Sequence, residues 1–140
     1  MTAETITALM VAPNLNPVEV RLYKDRVFLR AAVSVCYDGL CPVSVLPLDS
    51  KACILYNNEF QIFTTHCNRR VAEKVIGGVF YIIGLEDGKL TSLSQDDVEL
   101  YKALFWEPDE FSEDEKIDAY LANCEQSAAT RISGNDTYIL

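Results

Sequence analysis

Apolar and polar residues along this chain fall into two periods, and the switch from one to the other sets out its elements. Residues 79–85, VFYIIGL, form a nearly unbroken apolar run rich in β-branched and aromatic side chains. That is the pattern of a strand buried on both faces. Asp87-Gly88 follows as a hairpin turn, since both positions need the positive φ that Asp and Gly tolerate. Residues 89–92 return beside the strand. Ser94 then stands as a helix N-cap, with Asp96 and Asp97 in the first turn, where the helix dipole favours negative charge. From there the period becomes helical: Val98, Tyr101, Leu104 and Phe105 define one apolar face. Strand, hairpin and helix thus share one hydrophobic surface around which the rest is organised.

The remaining segments read as follows. Residues 5–11 are a short strand stopped by Pro13 in the turn-rich APNLNP. Residues 18–23 alternate, with Val18, Val20 and Leu22 on the apolar side, which predicts a half-buried strand. Val27, Phe28, Ala31, Ala32 and Val35 fit a helical stripe over residues 24–35, ended by Tyr37-Asp38-Gly39. Residues 43–48 and 52–56 read as strands joined at Asp49-Ser50, and Asn57-Asn58 turns the chain into residues 60–63, an antiparallel meander. Residues 64–74 read as a polar connection with a possible helical turn, released by Gly77-Gly78 into the central strand. Beyond Trp106, Pro108 breaks the chain, and Ser112 with Glu115 forms a capping box for a second helix over residues 113–126. Its apolar face is Ile117, Tyr120, Leu121 and Cys124. The tail RISGNDTYIL docks as an edge strand or frays. The expected fold class is α+β: a mainly antiparallel sheet, a helix after the central strand-hairpin unit, and a second, acidic C-terminal helix. Residues 1–140 are read as one domain, with 107–140 a helical extension and tail.

Charge changes the picture more than composition does. The 140 residues are 49% hydrophobic and 24% charged, ordinary for a globular protein. No apolar run approaches the ~20 residues that span a bilayer, and the N-terminus lacks a secretory pattern. Five cysteines without such a signal point to reduced thiols in a cytosol. The net charge of −9 is uneven: residues 86–125 hold thirteen acids against three bases, while residues 1–85 hold seven against eight. A surface so charged repels phosphate backbones and attracts a basic groove. It equally suits a solvated face that keeps the protein soluble.

Candidate chemistry is sparse. Cys36, Cys41, Cys53 and Cys67 with His66 lack the tight ligand pairs of a zinc site, and no cysteine has an evident basic partner. Gly77-Gly78 precedes a strand, whereas a phosphate loop follows one and opens a helix. No catalytic residue, metal or cofactor is expected. Arg69, Arg70 and Lys74 form the compact basic group of the middle region, able to clamp a carboxylate or phosphate or to pair with the protein's own acids. The acids Glu107, Asp109, Glu110, Glu113, Asp114, Glu115 and Asp118 have two readings. They cap and solvate a helix, or they imitate phosphate spacing and enter a basic groove, with Trp106 and Phe111 as anchors amid the charge.

Asn68-Arg69, then Ile76 to Gly84 (IGGVFYIIG), then Gly88 to Ser94 (GKLTSLS), then a helix ending in an aromatic make a pattern that resembles a known family. It is similar to small domains of phages, plasmids and conjugative elements, catalogued as domain of unknown function 3846, closely over residues 43–106 and loosely over 5–42. The resemblance implies a mobile element in a bacterial cytoplasm and brings no catalytic residues. Joined to the charge map, it sets the expectation of a non-enzymatic inhibitor, an anti-CRISPR or antirestriction factor. Its acidic face would occupy the nucleic-acid groove of a host protein, with no direct nucleic-acid or membrane binding. The alternative is an adaptor that binds another phage or plasmid protein through a sheet edge or an Asn68-Arg69 loop, with Arg70 beside it.

Overall fold

The computed structural model describes residues 4–25, 43–49, 51–57, 67–71, 74–119 and 121. They build an α+β fold. The strands are β1 (Thr5–Val11), β2 (Val18–Tyr23), β3 (Val43–Pro47), β4 (Ala52–Asn57), β5 (Cys67–Val71), β6 (Lys74–Gly77), β7 (Phe80–Glu86) and β8 (Lys89–Thr91). Helix α1 is Gln95–Leu104, and residues 113–119 are helical (α2). The main sheet runs β2-β1-β7-β4-β3, with β8 paired to β7. Every pairing is antiparallel. The apolar run read from sequence is the middle strand.

Strand alternation sends β7 side chains to two separate cores. Phe80 and Ile82 join Leu9, Val11, Ile54, Val98, Tyr101 and Phe105 on the face that α1 covers. Tyr81 and Ile83 join Ile6, Ala8, Leu22 and Leu55 on the other. Each fully buried aliphatic side chain contributes roughly 1.5–3 kcal/mol. Phe80 meets Phe105 edge-on, with ring centroids 5.9 Å apart. At the far end of β7 the chain turns through Asp87 (φ 51°) and Gly88 (φ 76°). A Cβ at Gly84 would lie 2.8 Å from the Thr91 carbonyl oxygen and closer still to that of Ser92. Glycine there lets the hairpin close tightly.

Ser94 caps α1, its hydroxyl accepting from the Asp97 amide at 3.2 Å. Val98, Tyr101 and Phe105 are buried as expected, but Leu104 is 66% exposed. The buried stripe follows i, i+3, i+7, and Leu104 lies a further 100° round the helix from Phe105. On β2 the expected inward residue Val18 is 49% exposed, and Leu22 alone is fully covered.

Three other expectations change. Residues 64–74 are not a polar connection where they are described: β5 and β6 form an antiparallel ladder of their own. The neighbour of β4 opposite β3 is β7, so the expected meander is interrupted by a strand from later in the chain. Of the stripe expected on the second helix, Ile117 on α2 and Leu121 just beyond it are 55% and 54% exposed, so these two side chains do not pack inward. The expected helix over 24–35, the strand over 60–63, the zinc-site candidates Cys36, Cys41 and His66, and Tyr120, Cys124 and the tail lie outside the described residues, apart from Lys24 and Asp25, which are not helical.

Candidate functional site

The expected binding residues sit where β5, the end of α1 and the segment after Pro108 meet. Strand β5 carries an irregularity: Cys67 pairs with Gly77 and Arg69 with Ile76, leaving Asn68 as an extra residue. A bulge breaks the alternation of faces. Asn68 and Arg69 consequently both point inward, each 1% exposed, while Arg70 points outward.

The buried pair makes a closed polar network. The Asn68 amide nitrogen donates to the carbonyls of Val11 (2.9 Å) and Gly78 (2.7 Å). Its oxygen accepts from Arg69 Nη1 at 2.7 Å. The guanidinium also donates to the carbonyls of Asn68, Leu15 and, twice, Phe105. Phe105 and Trp106 follow α1, where carbonyls lack helical partners. Arg69 satisfies the first, and Asn16 Nδ2 donates to the second at 2.6 Å. Burial lowers the Arg69 pKa, opposed by the charge of Asp109; the group remains a cation. The expected Asn68-Arg69 binding loop is therefore a strand whose two side chains tie the β1–β2 turn, β5 and the end of α1 together.

Arg70 faces solvent and collects the acidic segment. Its amide donates to Asp109 Oδ2 at 2.8 Å, and its guanidinium donates to the Glu110 carbonyl at 3.0 Å and to the Glu115 carboxylate. The same guanidinium lies 4.4 Å from the centre of the Phe111 ring, a cation–π contact. Phe111 is thus a staple beneath Arg70. Ser112 and Glu115 exchange the two expected capping-box bonds, each 3.2 Å. The Arg70 hydrogen bond holds the Glu115 carboxyl below its usual pKa, and Glu115 raises that of Arg70.

The seven acids consequently divide. Asp109 and Glu115 are engaged by Arg70, and Glu113 pairs with Lys116 at 3.3 Å. Glu107, Glu110, Asp114 and Asp118 are exposed and make no ion pair among the described residues. Three of the seven are thus engaged at the surface, and four keep carboxylates without an ion pair among the described residues.

Trp106, the chain's single tryptophan, is 44% exposed. With Glu99, Lys102 and Ala103 it lines an open cleft of about 460 Å³, and Lys102 Nζ stands 6.0 Å from its ring centre. Leu100 and Leu104, 56% and 66% exposed, lie next to Ala103 on the helix. Sequence reasoning missed this second stripe. Its signal is the i, i+4 spacing of Leu100 and Leu104, flanking the stripe of Val98, Tyr101 and Phe105.

Cys53, Cys67 and the Asp49 carboxylate offer little chemistry. Cys53 is buried, which pushes its thiol up to about 11, and burial also raises Cys67. Such thiols are poor nucleophiles. Tyr101 donates its hydroxyl to Asp49, which keeps that carboxyl below its usual range; burial, with Asp49, raises the phenol. Among the described residues no group of three or more His, Cys, Asp or Glu is placed to hold a metal ion. No described helix is long and apolar enough to cross a membrane.

No family model matches this chain, and neither a curated protein nor a solved structure matches it.

Proposed function

We propose that this chain is a non-enzymatic binding protein whose acidic C-terminal surface enters a positively charged, nucleic-acid-binding groove on another protein. In the bacterial mobile-element setting that the sequence resemblance implies, such a protein acts as an inhibitor of host defence. The observation that carries the reading is the division of the acids. Arg70 holds the segment after Pro108 in one place through Asp109, Glu110 and Glu115. Glu107, Glu110, Asp114 and Asp118 keep their carboxylates outward. A fixed set of charges steers association better than a fluctuating one, because less ordering is left for the moment of binding.

The test is affinity capture from bacterial lysate at low and high salt, using the native chain and a variant with Glu107, Glu110, Asp114 and Asp118 changed to Lys. A nucleic-acid-binding protein retained by the native chain at low salt, released at high salt and absent with the variant is the expected result. Capture that survives both the salt and the charge reversal removes the mechanism.

A further inference from the structure

The α1 helix carries two apolar faces, and among the described residues one of them packs into the core. Val98, Tyr101 and Phe105 are buried. Leu100, Ala103 and Leu104, spaced i, i+3, i+4, form a second face open to solvent, and Ala103 also borders the cleft that Trp106 lines with Glu99 and Lys102. Helical propensity does not account for this second face, since Lys or Glu in place of the leucines would serve as well on an exposed surface. Leucines at this spacing are what a partner's apolar anchors meet in helix-and-groove recognition.

The surroundings select the partner. Asp96, Glu99 and Glu107 are exposed around this face, and Lys102 lies over Trp106 at its margin. A second copy of the chain would bring the same carboxylates against themselves. Nucleic acid and anionic lipid are repelled by them. An apolar segment flanked by Lys or Arg satisfies both the leucines and the acids.

We infer that the outward face of α1, formed by Leu100, Ala103 and Leu104, seats a cationic amphipathic segment of another protein. The inference rests on the proposed basic partner and adds an apolar seat to it. The leucines set the contact area, and the carboxylates around them set the sign of the partner's charge. Trp106, the sole indole, borders the neighbouring cleft across Ala103, so the anisotropy of a labelled ligand is the direct measure of occupancy.

The experiment titrates the full chain with a short helical Leu/Lys peptide, following the anisotropy of labelled peptide. A Ser/Lys peptide of equal length and charge and a Leu/Ser peptide without charge serve as controls. The Leu/Lys peptide is expected to raise the anisotropy with saturation, and the Ser/Lys peptide to leave it unmoved. Leu100→Ser with Leu104→Ser should weaken Leu/Lys binding about tenfold or more, as expected for losing two buried leucine contacts, while the urea midpoint falls only slightly, through the lower helix propensity of Ser. Equal binding of Ser/Lys, or unaltered affinity in the double variant, overturns the seat. Self-association of the native chain in sedimentation, lost in the double variant, overturns it too, because a second copy then covers the face. Tight Leu/Ser binding that depends on both leucines leaves an apolar seat but overturns the cationic assignment. The two proposals separate through Lys substitutions at Glu110, Asp114 and Asp118 alone, none of which flanks the seat. Loss of lysate capture in that variant with no effect of the leucine changes condemns the seat alone, and the opposite pattern condemns the electrostatic reading alone.

Discussion

Arg69 and Arg70 are consecutive on β5 and hold two regions of the molecule by opposite means. Arg69 is 1% exposed and makes five hydrogen bonds, four to backbone carbonyls and one to the Asn68 side chain. Arg70 has a side chain 45% exposed and works through carboxylates, one carbonyl and an aromatic ring. The first joins elements of the core, where water does not compete. The second attaches an acidic segment at the surface, where salt and protons do. A residue type alone therefore says little about role; the bulge at Asn68 decides which arginine is which.

The sharpest way to break this contrast is Arg69→Ala. It leaves the carbonyls of Leu15 and Phe105 without their donor, and the loss in urea unfolding is expected on the order of 3–5 kcal/mol. Arg69→Lys should recover little of it, because an ammonium cannot reproduce the planar fork. A loss under 1 kcal/mol would show that the network is dispensable. Asn68→Asp comes next. It keeps an acceptor for Arg69 but removes the donations to Val11 and Gly78, and should cost about 2 kcal/mol in the same assay.

Arg70→Ala should leave the unfolding midpoint nearly unmoved. Amide hydrogen exchange over residues 109–116 should instead become several-fold faster while exchange in β7 stays slow. Slower or unchanged exchange over that segment would mean that other contacts hold it. The effect of pH should be smaller and confined to the acid side. The Glu115 and Asp49 carboxyls are both held below their ordinary values of 4.5 and 3.8, so the folded state favours their ionised forms. The stability they bring is complete above those values and is lost as pH falls through the lower, folded-state ones. Protection factors over 109–116, taken against intrinsic exchange at each pH, should therefore fall below about pH 4.5 in the native chain and show little of that fall in Arg70→Ala.

Features encoded in a few adjacent residues were legible in the sequence. The Asp87-Gly88 turn, the Ser94 cap and the Ser112–Glu115 capping box each depend on chemistry within four residues. The buried character of β7 was equally plain from its apolar run. The Asn68-Arg69 network was not, because a bulge reverses the facing that alternation predicts, and because its acceptors lie as far as 57 residues away along the chain. Leu104 was assigned to the wrong face because two apolar stripes share one helix, and spacing alone does not say which one meets the sheet. The acids were visible as a cluster. That Arg70 would take Asp109 and Glu115 and leave Glu107, Glu110, Asp114 and Asp118 required the geometry of β5.

The central claim, that fixed outward carboxylates steer this chain onto a basic groove, is tested most directly by the association rate with the purified captured protein. Stopped-flow measurement across a salt series should give fast association that falls steeply with ionic strength for the native chain. The variant with Lys at 107, 110, 114 and 118 should associate slowly and lose that steep decline. Equal rates and equal salt slopes for the two proteins would contradict the account.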